Sequence, residues 1–431
     1  MKMEDEDDMD GQRARRSGTR ALVLLATAAP GVAGRGAQFL ALAWFATLTS
    51  PDQYGAFATL QMLVVGAASV VGSTIGVTAN TGAAHGLRDR PVLAVVGAMI
   101  RLRTAVLVTN ACASFFVVVV GFAVLTHPSS PGQLVPAVVA GTFGGAVPVA
   151  EMLVGVLAGT GRTRVAAAVD GLRGVGGAAA AVLIGVSVDG AAAAIGLVVV
   201  DVGIAVAVLA SGALRSRPMV RLAPTAGEGA AAGIAANLLG QIAVWVVVGA
   251  VGATGGPVAL GVYGVAVRFA SVITVAPVYL GKVVVRHFVE GAEATQEWTP
   301  RSFVAVVGAL CAMGSVASIV LLVLGFPELV AGYPGVVPVT IAVLLVTSVR
   351  AVLICIGQVC VARRAWRTWV TADLVACGVT AAAAAATVTT GASLTTVVLA
   401  SGAGHVAGIA VRTVGLRRVR AVRASVAGGV R

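Results

Sequence analysis

Residues 106–125 read VLVTNACASFFVVVVGFAVL, twenty consecutive positions without a charge. About 20 mostly apolar residues is the length a helix needs to cross the hydrocarbon of a bilayer. Apolar and polar residues do not alternate along it, so it does not read as a strand of a membrane barrel. A helix, by contrast, satisfies its own backbone hydrogen bonds in lipid. Outward from this stretch the same pattern recurs, and about twelve spans are expected: 21–48, 57–80, 104–126, 136–159, 165–186, 191–213, 232–253, 259–281, 303–325, 336–361, 369–389 and 393–411. The breaks between them carry turn chemistry, as in SPDQYG (50–55), HPSSPGQ (127–133), GATGGP (252–257) and AGYPG (331–335).

Composition agrees. The chain has 431 residues, 58% apolar and 11% charged, with mean hydropathy +0.97. Soluble domains carry roughly 25% charged residues, so this chain lacks the charge to cover a water-facing surface of its size. The expected class is an all-α polytopic membrane protein of the cytoplasmic membrane. Five cysteines fall in apolar segments without metal spacing and read as small buried hydrophobes. No metal or cofactor is expected. The acidic N-terminus, MKMEDEDDMD, reads as a solvated tail rather than a secretory signal.

The net charge of +12 raises nucleic acid as a partner, but the placement of the charges explains it better. Of 30 Lys and Arg, 27 lie before span one, at the alternate loops that follow or the helix starts beside them (Arg173 at the start of span five), or after span twelve; the other set of loops holds none. That is the positive-inside pattern, and it places both termini in the cytoplasm. The expected units are a tail (1–20), an N-terminal lobe of six spans (21–213), a cytoplasmic linker (214–231), a C-terminal lobe of six spans (232–411) and a basic tail (412–431).

The other three are Arg35, Arg268 and Arg350, inside spans one, eight and ten. A charge at bilayer depth costs about 2.5–3.5 kcal/mol on insertion scales, so each should face protein or a water-filled cavity. The acids at depth are Glu151, Asp201 and, near the starts of spans five and eleven, Asp170 and Asp373; set against Glu151 and Asp201, the arginines leave a small positive surplus. A cationic cavity for an anionic substrate follows, because the guanidinium fork suits phosphate and stays charged. The alternative is that acids on neighbouring helices neutralise each arginine. Gln38 shares a helix face with Arg35. Asn237, Gln241 and Trp245 form a stripe along span seven, fitted equally to substrate and to helix–helix adhesion. Gln61 and Gln358 add amides at depth. Glu151 and Asp201 are also the candidates for ion coupling. His405, in GAGHVAG, reads as a packed, hydrogen-bonded histidine rather than a proton carrier.

An internal repeat is visible at an offset of 206 residues. Aligning Gly55 with Gly261 maps the joint of spans one and two onto that of spans seven and eight. Transporters built of two repeats hold substrate at the repeat interface near the midplane.

The turn Leu48, Ser50, Pro51, Asp52, Tyr54, Gly55 resembles the first turn of the polysaccharide (O-antigen type) flippases, a family of the multidrug/oligosaccharidyl-lipid/polysaccharide exporter superfamily. Gly261 and Tyr263 ahead of Arg268 resemble the eighth helix of that family, and GTGRTRVAAAVDGLRG (159–174) its turn between spans four and five. The resemblance implies two six-helix lobes and a cationic central cavity. It implies alternating-access movement of a polyprenyl-pyrophosphate-linked oligosaccharide for cell-surface polysaccharide synthesis. The substrate and membrane lipid are then the immediate partners, with a polysaccharide polymerase or ligase beyond them. Twelve spans differ from the fourteen of the lipid II flippases.

Three rival readings are set against it. An ion-coupled drug antiporter of the same superfamily would use Asp201 or Glu151. A facilitator-type transporter would carry Gly-x-x-x-Asp-Arg-x-Gly-Arg-Arg where this chain has HGLRDRPVLA (85–94). An enzyme would need a phosphate-binding loop, a metal cluster or an acidic pair in a loop, and the short outer loops give little room for a catalytic face.

Overall fold

The computed structural model describes residues 29–84, 91–211, 226–289 and 300–428. The tail 1–20, most of the linker 214–231 and the loop carrying Arg88 and Arg90 lie outside the described residues. Every described regular element is a helix: α1 (29–47), α2 (Pro51–Ala84), α3 (Val92–Leu102), α4 (Thr104–Thr126), a 3₁₀ turn (Pro131–Leu134), α5 (Val135–Gly144), α6 (Val147–Gly159), α7 (Thr163–Ser187), α8 (Ala193–Ala210), α9 (Ala226–Val289), α10 (Pro300–Val320) with a π turn (Leu321–Gly325), α11 (Pro327–Gly332), α12 (Val336–Ala362), α13 (Trp366–Thr389) and α14 (Leu394–Gly428).

Ten helical stretches are long and apolar enough to cross a membrane. One of them, Gly229–Thr274, is broken by non-helical backbone at Gly255 and Gly256, the latter at φ 63°, a left-handed conformation that suits glycine. Its two arms lie at the same depth of α2: Trp245 reaches the Met62 carbonyl and Arg268 reaches Gln61. It is therefore a hairpin of two spans. Counting it as two gives eleven crossing helices among the described residues, a multi-pass membrane protein, and α1 is the described part of the first expected span. The expected fourth span is α5 and α6 end to end, parted at Gly145–Ala146 just before Pro148, whose missing N–H ends the helical ladder. One helix was not expected. α3 is too short to span a membrane and packs Val95, Val96 and Met99 into a core shared with α6.

The lipid-facing and protein-facing sides separate as a bilayer demands. Phe116, Leu183 and Leu324 are large, apolar and exposed, whereas small residues sit where helices meet. Gly34 of α1 lies on the backbone of Gly171 in α7, Gly155 on Gly76, Gly196 on Ala181 and Gly404 on Ala376. Lipid supplies no hydrophobic drive between helices, so such close approach and the dispersion it allows hold the bundle. Helices α2–α8 pack on one another, α9–α14 likewise, and the joint between the two sets is chiefly α2 along both arms of α9. At one end this joint tightens into a seam. Gly55 abuts the Pro257 carbonyl, Gly261 abuts the Pro51 carbonyl, and Phe45, Tyr54, Phe57 and Tyr333 form an aromatic cluster around them. The Tyr333 hydroxyl donates to the carbonyl of Ala46 at 3.0 Å and lies 3.2 Å from that of Thr49.

Candidate functional site

Two clusters of deep charge stand on either side of the joint, and they differ in sign. In the first, Arg35 donates to Gln38 Oε1 at 3.1 Å and pairs with Asp170 Oδ1 at 2.8 Å. The helical spacing of three aligns Arg35 with Gln38, and the contact of Gly34 with Gly171 brings α1 close enough to α7 for the ion pair. The centre of this cluster is a residue the charge count had assigned to a cytoplasmic edge. Arg173 of α7 is only 8% exposed, with Glu151 of α6 at 2.8 Å, Asp201 of α8 at 2.5 Å and Asp170 at 3.6 Å. Three carboxylates thus share two guanidiniums. The expected positive surplus does not arise on this side, because Asp170 and Arg173 join the tally. Glu151 and Asp201, the candidates for ion coupling, both hold Arg173.

In the second cluster the balance reverses. Arg412 of α14, expected in the basic tail, is 2% exposed; α14 runs on past it, and it pairs with Asp373 of α13 at 2.6 Å and donates to the Leu353 carbonyl. Arg268 donates to the Gln61 amide oxygen across the joint, and its buried Nε has no partner among the described residues. Arg350 makes no hydrogen bond or ion pair with another described residue. Two guanidiniums, Arg412 and Arg350, therefore share the field of one carboxylate, Asp373, while Arg268 is held by an amide. Neutralisation by an acid on a neighbouring helix describes Arg35 and does not describe Arg268 or Arg350.

Arg350 lines a cavity of about 230 Å³. Both arms of α9, with α12, α13 and α14, supply its walls, and Met62 of α2 reaches it from across the joint. Tyr263, Thr347, Ser401 and His405 bring hydroxyl and imidazole groups to an otherwise valine-rich lining. The expected hydrogen-bonded packing of His405 is not what is found: it borders the cavity, and its buried Nδ1 has no partner among the described residues. A fixed guanidinium beside hydroxyl donors in a cavity is equipped to hold an anion through charge-assisted hydrogen bonds.

The span-seven stripe resolves differently. Asn237 donates to Ser73 at 2.8 Å and Thr74 at 2.9 Å, and Gln241 donates to Ser69 at 3.1 Å. Both amides, and Trp245, engage α2, so the stripe ties the two halves together. Gln358 Oε1 is buried with no partner among the described residues. Among the described residues no group of His, Cys, Asp and Glu has the arrangement of a metal site.

Sequence reasoning left out Arg173, Arg412, Asp373, Tyr263 and His405 as site residues. One signal was present for the first. Arg173 follows Asp170 by three residues in AAAVDGLRGVGG, an i,i+3 pair inside an apolar helix.

The fold is that of known transporters. The inward-facing conformation of a multidrug resistance MATE family transporter of the MOP superfamily superposes with a TM-score of 0.65, at 13% identity over 94% of this chain and 99% of that one. A MOP superfamily transporter from Pyrococcus furiosus Vc1 (DSM3638), whose pocket is described as reversed in polarity with a suggested difference in function, gives 0.57 at 14% identity over 93% and 96%. The lipid II flippase MurJ, in an inward closed conformation, gives 0.60 at 11% identity over 88% and 86%. No family model matches the sequence, and no curated protein matches it.

Proposed function

We propose that this protein is a transporter of the MOP superfamily that moves a lipid-linked, anionic saccharide across the cytoplasmic membrane by alternating access. The observation that carries the reading is the charge of the C-terminal half: Arg350 on a cavity without an ion pair, and Arg268 held by an amide rather than a carboxylate. Buried charge without a protein counter-ion is costly, and a substrate that brings its own negative charge offsets the cost. A pyrophosphate linking sugar to polyprenol is such a group. The fold shared with a lipid II flippase supports a lipid-linked substrate, and the resemblance of the turn at Pro51–Gly55 to the polysaccharide flippases supports a saccharide. The seam at Gly55 and Gly261 then closes the outer end, as the distribution of Lys and Arg assigns it.

The test is deletion of the gene followed by mass spectrometry of extracted lipids. A polyprenyl-pyrophosphate oligosaccharide should accumulate, the wild-type gene should clear it, and Arg268→Gln and Arg350→Gln should not. Clearance by both variants sinks the cationic-cavity mechanism. A second reading, ion-coupled export of a cationic drug, is favoured by the three carboxylates around Arg173. It requires an unchanged lipid pool together with altered sensitivity to cationic drugs.

A further inference from the structure

We infer that the Arg350 cavity takes up its anion together with a proton, and that His405 is the group that binds the proton. This rests on the reading of Arg350 as an anion ligand and adds a second ion to it. The cavity holds one fixed cation, Arg350 from α12, and one titratable base, His405 from α14. They share one small cavity whose remaining wall mixes valine and alanine with the hydroxyls of Tyr263, Thr347, Thr380 and Ser401, so each charge there is felt by the other.

The charged and titratable groups around His405 can be taken helix by helix. From α12 comes Arg350, and on α14 itself Arg412; both lie within electrostatic reach of the imidazole. From α13 comes Asp373, already held by Arg412 at 2.6 Å. From α9 comes Tyr263, a phenol near Arg350. No carboxylate lines the cavity among the described residues. An imidazolium there has two guanidiniums for company and one carboxylate, already engaged. An anion seated on Arg350 changes this, since it faces the imidazole as well. Anion and proton therefore favour each other, and linkage makes the effect reciprocal. A proton from bulk water adds to the unprotonated ring nitrogen and leaves with the anion. Histidine suits the role because a free imidazole changes charge near neutral pH, so the charges seated around it decide whether it holds a proton. Coupled in this way, an anion moving through the C-terminal half carries one compensating proton in the same direction, which offsets its charge in transit without any of the carboxylates around Arg173.

The probe is sulfate, whose charge is constant between pH 5.5 and 8. The purified full-length protein in detergent is titrated calorimetrically in buffers of different ionisation enthalpy, which reports protons taken up per anion bound. For wild type, up to one proton per sulfate is expected, with affinity rising by up to about tenfold per pH unit as pH falls. His405→Gln should bind sulfate with pH-independent affinity and no uptake, and Arg350→Gln should lose binding. Wild-type binding without proton uptake, or uptake retained in His405→Gln, overturns the proton linkage while leaving the anion site standing. No sulfate binding to wild type, or binding unchanged in Arg350→Gln, overturns the anion site and the linkage with it. Proton uptake by wild type is measured without any substitution, and His405→Asn serves should the glutamine variant not fold.

Discussion

Gly261 rests directly on the carbonyl oxygen of Pro51, and its counterpart 206 positions earlier, Gly55, rests on the carbonyl of Pro257. The two contacts are each other's image, since Pro51 and Pro257 are separated by the same offset. Equivalent residues of the two repeats thus meet across a local two-fold, in the manner of a self-complementary interface. The contact leaves no room for a Cβ at either glycine. Gly261→Ala should therefore cost about 1–3 kcal/mol through overpacking against backbone, seen as a lower melting temperature in detergent. Gly36→Ala, where nothing lies within 4 Å of the added carbon, should melt as wild type or slightly higher. Equal melting of the two variants would mean the seam yields freely.

Arg173 is the counter-charge of Glu151 and Asp201 and shares Asp170 with Arg35, so its loss leaves Asp201 buried beside Glu151 without a cation. Removing one partner of a buried pair costs about 3–5 kcal/mol. Arg173→Gln should collapse the yield of monodisperse protein. Because the damage is uncompensated charge rather than lost packing, Arg173→Gln with Asp201→Asn should recover part of it. A double variant no better than the single would place the cost in packing.

Legibility of the fold and of the site differed, for physical reasons. A span announces itself by a run of apolar residues, and α4 occupies Thr104–Thr126 as expected. The turn at Gly255–Gly256 was legible from GATGGP. α3 was not, because an eleven-residue helix falls short of a span and amphipathic packing beside a bundle leaves no length signal. Arg173 and Arg412 were hidden by the positive-inside pattern itself, which absorbs any arginine near a helix end. Sequence showed that Arg35 lies deep but not that Asp170 faces it, since pairing across helices depends on rotations one chain does not print. The Asn237 stripe was ambiguous because amides on one face serve substrate and neighbouring helix alike.

That ambiguity is now testable. Asn237 bonds Ser73 and Thr74 across the joint of the two halves. In a double-mutant cycle of Asn237→Ala with Ser73→Ala, the effects on melting should be non-additive, with coupling of about 0.5–1.5 kcal/mol. Substrate affinity should change little. Additive melting with a large loss of affinity would return Asn237 to the substrate.

Tyr333 gives the seam its polar lock. Its hydroxyl reaches the Ala46 and Thr49 carbonyls, and burial pushes the phenol pKa up. A raised value means the neutral donor is the form the folded protein favours; its contribution is whole below the ordinary tyrosine range and fades only as pH climbs through the folded value. Between pH 6 and 9 the lock should therefore not titrate. Tyr333→Phe removes the donor and keeps the edge-to-face contact of the ring with Tyr54. Loss of this bonding should cost about 0.5–1.5 kcal/mol, all of it from the closed seam. The open population should rise by up to about tenfold, since 1.4 kcal/mol is a factor of ten. An Ala46→Cys reporter, buried in the closed seam, reads this as a faster reaction with a membrane-impermeant maleimide. The acceleration should be the same at pH 6 and pH 9. An unchanged labelling rate in Tyr333→Phe would mean that the aromatic cluster and the glycine contacts hold the seam without the hydroxyl.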